Sequence, residues 1–269
     1  MEMFFKDGDL ALFISGNGRR KVIRKLIKLK RGNLYFTHSG SIPHDKIIGK
    51  QVGIEVSTDK GIKFTVFKAT YNDYIMGLKR KAQIIYPKDI AVLLLWGDVY
   101  QGLNILEAGL GEGALSIAIL RIIGDSGSLT TYEIRDDFFE EGSKNINNYF
   151  NVKPANHNII LGDIYAGFNG VYDRIFLDLP EPWHVLKYMK NGLVDGGIVI
   201  SYIPTVLQVK TYIDTMQELG YFADIEVFEN IKRPWHVKGL SVRPETWMYN
   251  FSAFIIYARK LYIEYAGGS

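Results

Sequence analysis

The sequence predicts an open α/β sheet, doubly wound with helices, preceded by a small β-rich domain. Strand and helix patterns alternate from residue 102 onward, and a glycine-rich turn follows the first of these strands. Before that point the apolar runs are short and are separated by glycines and turn residues. We therefore expect a β-rich N-terminal domain in residues 1–85 and an α/β domain in residues 86–269.

The predicted N-terminal domain is strongly basic. Lys and Arg number 17 against 7 Asp and Glu in residues 1–85, whereas residues 86–269 contain 15 against 22. Eight of the thirteen residues 19–31 are basic and are interleaved with aliphatic side chains. This run is equally compatible with a solvated amphipathic face and with a surface that binds a polyanion. Strands are expected in this domain at 10–14, 34–37, 52–56 and 63–67.

The second domain has the periodicity of strands joined by helices. Strands are expected at 105–109, 129–133, 158–161, 173–178 and 197–202, and helices at 114–123, 137–149, 182–191 and 204–219. Two further strands, 222–229 and 251–258, have no clear helix between them and predict a closing antiparallel hairpin at the sheet edge. A reversed last strand favours the methyltransferase variant of this Rossmann-like sheet over a dehydrogenase.

A glycine-rich turn predicts a nucleotide-cofactor site. The apolar run that begins at Ile105 ends in Gly109, Gly111 and Gly113, and a helix pattern follows. Glycines permit close approach of the backbone to a ligand, and the first turn of a helix offers free N–H groups. Because Gly109, Gly111 and Ala114 also satisfy the dinucleotide fingerprint, the turn alone leaves NAD as an alternative cofactor.

Acidic residues follow the next two strands. Ligands of such sheets bind beyond the carboxyl ends of the strands, where Glu133 and Asp163 stand. Glu133 is spaced to bind both hydroxyls of a ribose, and Asp163 to bind an adenine amino group. The competing interpretation is that Glu133 serves the following helix together with Asp136 and Asp137, since acids favour helix N-termini. We prefer ligand roles because the glycine turn, Glu133 and Asp163 all stand at the carboxyl ends of successive strands.

The most specific element follows the fourth strand and reads Asp178-Leu-Pro-Glu-Pro-Trp183. Two prolines stiffen this loop, and they also suit a helix start. A helix start does not explain an acid at the end of an otherwise apolar strand. A carboxylate buried there needs a partner, which a ligand amino group would provide.

Composition narrows the functional classes. The 269-residue chain has 47% hydrophobic residues, enough for a sizeable core, and no cysteine, which excludes disulfides, thiolate zinc sites and cysteine nucleophiles. No apolar run is long enough to cross a bilayer, so we expect a cytoplasmic protein without a membrane anchor. His38 and His44 lack further ligands, and no metal site is predicted.

With these motifs, the sequence resembles the tRNA adenine-N1 methyltransferases that modify T-loop position 58, in their archaeal and bacterial single-subunit form. The resemblance spans nearly the whole chain. It is carried by Ile42-Pro-His-Asp-Lys-Ile-Ile-Gly49, Gln83-Ile-Ile-Tyr-Pro-Lys-Asp89, the glycine turn, Asp178-Leu-Pro-Glu-Pro-Trp183 and Leu240-Ser-Val-Arg-Pro244. It implies S-adenosylmethionine as the methyl donor, tRNA as the substrate, a tRNA-binding role for the N-terminal domain, and a homotetramer.

The resemblance also assigns residues. It places the cofactor against the glycine loop (Glu107, Gly109, Leu110, Gly111, Glu112 and Gly113), Glu133, Phe138, Asp163 and Asp178. Asp178 is the expected catalytic residue, accepting a hydrogen bond from the adenine N6 amino group. Tyr86 and Tyr202 are expected near the target base, and Tyr86 or Trp183 could stack on it. Tyr86 and Trp183 could equally be core residues.

Further basic residues are candidates for contact with tRNA phosphates. They are Lys79 to Lys81, Lys232, Arg233, Lys238 and Arg243.

Two positions depart from the family pattern. Glu112 replaces a small hydroxyl residue in the glycine loop, and residues 246–252 replace most of a His-x-x-Met-x-x-His-Thr stretch. Two alternatives to the enzyme remain: an NAD-dependent dehydrogenase, and a non-catalytic RNA-binding subunit with a methyltransferase fold.

Overall fold

A four-stranded antiparallel sheet and a seven-stranded mixed sheet organise the chain. The computed structural model describes residues 3–16, 23–78, 84–246, 248 and 251–263. The chain divides into two units, Met1–Lys79 and Arg80–Ser269. Each has its own hydrophobic core.

The first unit is β-rich and ends in a short helix. The main sheet has the order β2-β1-β6-β5, and β3 and β4 form a separate hairpin. The elements are β1 (Leu10–Ser15), β2 (Ile23–Lys28), β3 (Leu34–Thr37), β4 (Gly40–Pro43), β5 (Ile54–Ser57), β6 (Lys63–Lys68) and α1 (Tyr71–Gly77). The four strands expected here from the sequence are confirmed, with ends shifted by up to two residues.

The basic run of residues 19–31 contains the edge strand β2. Residues 19–22 lie outside the described residues, and so do Lys79 to Lys81 and part of 246–252. In β2, Arg24 is exposed and pairs with Asp73 of α1 at 2.8 Å. His44 is buried and its Nδ1 accepts the backbone N–H of Lys30, while His38 is exposed.

The second unit contains the predicted α/β sheet, in the order β12-β15-β11-β10-β7-β8-β9. Its strands are β7 (Asn104–Ala108), β8 (Ser128–Glu133), β9 (His157–Leu161), β10 (Tyr172–Leu177), β11 (Leu193–Ile203), β12 (Phe222–Glu229), β13 (Trp235–Lys238), β14 (Ser241–Pro244) and β15 (Phe254–Lys260). Its helices are α2 (Pro87–Trp96), α3 (Ala114–Ile123), α4 (Asp136–Phe150), α5 (Trp183–Leu186), α6 (Met189–Gly192) and α7 (Val206–Leu219).

The reversed last strand is confirmed. β15 pairs antiparallel with both β11 and β12, so it lies inside the sheet and β12 forms the edge. Two details differ from the sequence prediction. The connection between β12 and β15 contains the hairpin β13–β14, and the helix predicted at 182–191 is two four-residue helices, α5 and α6.

The parallel strands define the functional edge of the sheet. β9, β8, β7, β10 and β11 are neighbours and run parallel, so their carboxyl ends lie at one edge. The glycine turn, Glu133, Asp163 and Asp178 all follow these ends. No helix within the described residues is long and apolar enough to span a membrane.

Shortening a buried side chain in the central strand β7 should destabilise the protein. Leu106 in β7 is 0% exposed, whereas Leu95 in α2 is 71% exposed. We expect Leu106→Ala to lower the free energy of unfolding by about 2–5 kcal/mol and Leu95→Ala by less than about 0.5 kcal/mol. Urea denaturation measures both variants. Equal losses would contradict this placement of the core.

Candidate active site

The glycine loop after β7 has a backbone that other residues would strain. Gly109, Gly111 and Gly113 have φ of +95°, +49° and +80°. A Cβ on Gly109 would lie 2.2 Å from the carbonyl oxygen of Asp178, so this glycine allows two strand ends to meet. A Cβ on Gly111 would have nothing within 4 Å among the described atoms. The loop is therefore packed below and open above, as a cradle for a ligand requires.

A glycine in α4 supports this loop from below and was missed by the sequence reasoning. A Cβ on Gly142 would lie 2.7 Å from the carbonyl oxygen of Gly111 and 2.7 Å from Cγ of Leu110. Leu110 is itself buried. A glycine inside a helix is unfavourable by itself, which is the one signal that could have identified it.

Glu112 packs inward from the loop. Its side chain is buried, and its backbone carbonyl accepts a hydrogen bond at 3.2 Å from Nδ2 of Asn145 in α4. The same Nδ2 lies 3.5 Å from Glu112 Oε2. The carboxylate that replaces the family's small hydroxyl residue therefore lies beside α4.

Glu133 links the glycine loop to the start of α4. One carboxylate oxygen accepts the N–H of Gly111 at 3.2 Å, and the other accepts the N–H of Arg135 at 2.9 Å. The side chain is buried. Glu133 thus contacts Arg135, the residue before α4, as the competing interpretation expects, and also the glycine loop. Its role in binding a ribose stays a prediction.

Glu107 is a buried acid at the base of the site. Its Oε2 accepts hydrogen bonds from the hydroxyls of Ser116 and Thr131, while Oε1 has no hydrogen-bond partner among the described residues. Burial raises the pKa of Glu107 to about 8, and the charges of Asp178 and Glu133 add to the rise. Ser116 and Thr131 were not singled out from the sequence.

Asp178 lies immediately after β10. Its backbone N–H donates to the carbonyl of Ala108, which fixes it beside the glycine loop. Burial, with a smaller contribution from the charge of Glu133, raises the pKa of Asp178 to about 7. Perturbed acids grouped at a cleft are typical of functional sites.

Two hollows lie against these residues. A cleft of about 190 Å³ is lined by Gly109, Tyr132, Glu133, Ile134, Gly162, Ile164, Tyr165, Leu179, Pro180 and Glu181. A smaller hollow of about 30 Å³ is lined by Ile84, Ile85, Gly109, Leu110, Gly111, Glu112, Ala114, Leu115 and Asp178. Gly109 lines both, so the two hollows meet at this residue.

Two predicted ligand residues, Asp163 and Phe138, are not among the residues that line the two hollows. Asp163 is exposed, stands between the lining residues Gly162 and Ile164, and accepts the N–H of Tyr165 at 2.8 Å. Phe138 is buried in α4, with the Arg135 guanidinium 4.1 Å from its ring centroid.

The loop from Asp178 to Trp183 is held by two hydrogen bonds. The N–H of Glu181 donates to the hydroxyl of Tyr165 at 3.0 Å, and Nε2 of Gln208 donates to the carbonyl of Pro180 at 2.7 Å. Trp183 is partly buried and packs against the core. The loop is therefore anchored independently of any ligand.

The remaining predicted aromatics lie at the start of α2 and the end of β11. Tyr86 precedes α2 and is partly buried. Tyr202 is buried, and its hydroxyl donates to Oδ2 of Asp89 at 2.9 Å. Burial raises the pKa of Tyr202 well above its usual range, helped by the negative charges of Asp89 and Asp178. Asp89 was part of a quoted motif but received no role from the sequence.

The basic candidates in the β12–β15 connection are exposed. They are Lys232, Arg233, Lys238 and Arg243, on or beside the hairpin β13–β14. The same hairpin exposes Trp235, Val237 and Val242.

The site suits a positively charged nucleoside cofactor. It combines an open glycine cradle, a Glu107 Oε1 with no hydrogen-bond partner among the described residues, and acids whose ionised forms a bound cation would stabilise. S-adenosylmethionine carries a sulfonium and an ammonium group and matches these features.

Two curated relatives align with nearly the whole chain. The tRNA (adenine(58)-N(1))-methyltransferase TrmI of Thermus thermophilus is 28% identical over 241 residues, covering 90% of this chain and 94% of the relative. The tRNA (adenine(57)-N(1)/adenine(58)-N(1))-methyltransferase TrmI of Methanocaldococcus jannaschii is 27% identical over 273 residues, covering 92% and 94%.

Solved structures give the same fold. A protein of Thermotoga maritima described as an S-adenosylmethionine-dependent O-methyltransferase is 30% identical with a TM-score of 0.87, covering 97% of this chain and 96% of its own. The tRNA (m1A58) methyltransferase TrmI of Aquifex aeolicus is 28% identical with a TM-score of 0.81, covering 97% and 100%.

The family model described as the tRNA methyltransferase complex GCD14 subunit matches residues 64–250. This match covers more than half of the chain and includes the glycine loop, Glu133, Asp163, Asp178 and Tyr202. The chain therefore belongs to the GCD14 family of tRNA methyltransferases.

Proposed function

We propose that this protein transfers a methyl group from S-adenosylmethionine to N1 of an adenine in the T-loop of tRNA, at position 58. Family membership and the names of the Thermus and Aquifex relatives support the reaction. The observation that carries the proposal is Asp178, a carboxyl group with a raised pKa at a strand end, beside an open glycine cradle. The name of the Methanocaldococcus relative adds position 57 as a second candidate target.

The cofactor residues are assigned by position. We assign the glycine loop from Glu107 to Gly113 and Glu133 to the cradle, and Asp163 and Phe138 to its rim. When bound, S-adenosylmethionine supplies a methyl group on a cationic sulfur. In their ionised forms Glu107 and Asp178 would offset that charge, because Glu107 begins the glycine loop and Asp178 lies against Gly109.

Asp178 is assigned to the target base. Adenine N1 has a lone pair but is a weak nucleophile, and it becomes cationic when methylated. A carboxylate that accepts a hydrogen bond from the N6 amino group enriches N1 and offsets the developing charge. The chain's other contribution is to hold base and methyl donor in line. This reaction requires no metal and no covalent enzyme intermediate.

Aromatic side chains are assigned to the base pocket. The adenine must leave the T-loop to reach Asp178, and a stacking surface offsets the lost base stacking. Tyr86 and Tyr202 are the candidates, with Trp183 as the alternative. Tyr202 lies near enough to Asp178 for the charge of the carboxylate to raise its pKa.

The alternatives fit less well. An NAD-dependent dehydrogenase does not explain the reversed strand β15 or family membership. A non-catalytic RNA-binding subunit does not explain why the acids and the open cradle are kept.

The wider assignments rest on charge and family resemblance. We propose that the basic β-rich unit binds tRNA, that Lys232, Arg233, Lys238 and Arg243 contact phosphates, that the protein is a homotetramer, and that it acts in the cytoplasm. The boundary of the tRNA-binding module proposed from the sequence, residue 85, lies near the division at Lys79.

Removing the Asp178 carboxylate should abolish turnover. We expect Asp178→Ala to lower kcat by about 10²–10⁴-fold and Asp178→Asn by less, since the amide oxygen can still accept a hydrogen bond. S-adenosylmethionine should still bind, as judged by calorimetry, with a Kd raised by the loss of one of the two acids assigned to the sulfonium. Methyl transfer to a tRNA transcript measures kcat.

Asp173 provides the matched control. It lies at the opposite end of β10, where its Oδ2 accepts the N–H of Asn104. Asp173→Ala should leave kcat within about twofold of the wild type. Equal activity of the Asp173 and Asp178 variants would remove Asp178 from the mechanism.

Cofactor affinity should depend on pH in a defined direction. The pKa of Asp178 is about 7 and that of Glu107 about 8, so both carboxyls lose protons as the pH rises from 6 to 8. Only the ionised forms attract a sulfonium. The ratio of the Kd for S-adenosylhomocysteine to that for S-adenosylmethionine should therefore increase over this range.

Isothermal titration of both ligands at several pH values measures this ratio. S-adenosylhomocysteine is the control because it has the same amino-acid group without the positive sulfur. Binding of S-adenosylmethionine should also release protons, because a bound cation lowers the pKa of each acid. A ratio independent of pH would contradict the assignment of these acids to the sulfonium.

A further inference from the structure

Asp89 is the centre of a buried polar cluster outside the cofactor cradle. It lies in the first turn of α2 and is 1% exposed. Its Oδ2 accepts hydrogen bonds from the hydroxyls of Tyr202 at 2.9 Å and Ser252 at 2.8 Å. Its Oδ1 lies 2.7 Å from Nζ of Lys88. All three partners are donors, so the carboxylate is satisfied and its charge is compensated.

This cluster joins four parts of the domain at one edge of the sheet. Tyr202 lies near the carboxyl end of β11, and Ser252 lies just before β15, which runs in the opposite direction. Asn230 follows β12. Its carbonyl accepts from Lys88 Nζ at 2.7 Å, and its Nδ2 donates to the carbonyl of Lys88 at 2.8 Å. Lys88 and Asp89 thus fix the start of α2 to three strand ends.

The cluster constrains the ring of Tyr202. A buried hydroxyl that donates at 2.9 Å to a buried carboxylate cannot rotate without losing its partner in a region with little water. The ring is therefore held by its tip at Asp89. Tyr86 is positioned by the start of α2, because its carbonyl accepts the N–H groups of Asp89 and Ile90.

We propose that Asp89 is a positioning residue that orients the target adenine through Tyr202 and Tyr86. It holds the ring of Tyr202 beside Asp178 and fixes the turn that carries Tyr86. Asp89 itself does not contact the substrate, since it is 1% exposed. This inference rests on the proposed function, because it assigns the two tyrosines to the base pocket.

Tyr202→Phe is the decisive variant. It keeps the ring and removes only the hydroxyl that donates to Asp89, so it should fold. If Asp89 orients the ring, kcat should fall by about tenfold, with the Kd for S-adenosylmethionine unchanged within about twofold. Asp89→Asn should lower kcat by about 10²-fold, since misplacement of reacting groups has effects of this size. In Asp89→Asn/Tyr202→Phe, the second change should add less than about a twofold loss.

Asp195→Asn is the matched control. Asp195 pairs at 3.0 Å with the buried Lys260 and lies near the amino end of β11, opposite Tyr202. It should lower the melting temperature without changing kcat. Asp89 variants that lower only the melting temperature would reduce the cluster to a structural role and overturn the inference.

The wild-type enzyme separates this inference from the proposed function. If the wild type fails to methylate tRNA, both are wrong. If the wild type is active and Tyr202→Phe keeps full kcat, only the positioning role is wrong. Should Asp89→Asn fail to fold, Ser252→Ala takes its place in the cycle, with a smaller expected loss of about threefold because it removes one of three donors.

Discussion

The crowding of acids at one edge of a sheet is the constraint on which the site depends. Glu107 lies near the end of β7 and Asp178 follows β10, and burial raises the pKa of both carboxyls, with a further contribution from the charge of Glu133. A bound sulfonium cofactor would supply a positive charge that stabilises the ionised forms of these acids.

Two glycines, which have no Cβ, make this arrangement possible. Gly109 lets the backbone of Asp178 reach the glycine loop, and Gly142 lets α4 support the loop from below. The loop then needs no ligand to hold its shape. A preformed cradle of this kind lowers the entropy cost of binding and keeps the methyl donor aligned with the base. The helix interior accepts an unfavourable glycine for that purpose.

Much of this could be predicted from the sequence, because strand periodicity and glycine spacing are local signals. The sheet, the reversed β15 and the positions of Glu133, Asp163 and Asp178 at strand ends follow from them. The contacts of Asp89 and Gly142 could not be predicted, because their partners are distant in the sequence. Tyr202 lies 113 residues from Asp89, and Gly142 in α4 meets Leu110 and Gly111 of the glycine loop. The prediction of one continuous helix at 182–191 was wrong, because the periodicity of the sequence does not show the break between α5 and α6.

The most direct test of the account is transfer of radiolabelled methyl from S-adenosylmethionine to an unmodified tRNA transcript, beside a transcript in which adenine 58 is replaced by guanine. The account predicts label on the first transcript and none on the second, because guanine lacks the N6 amino group that Asp178 is assigned to recognise. Equal label on both transcripts would contradict position 58 as the target and lead first to the neighbouring adenine. No label on either, with the cofactor bound, would contradict the enzymatic function itself.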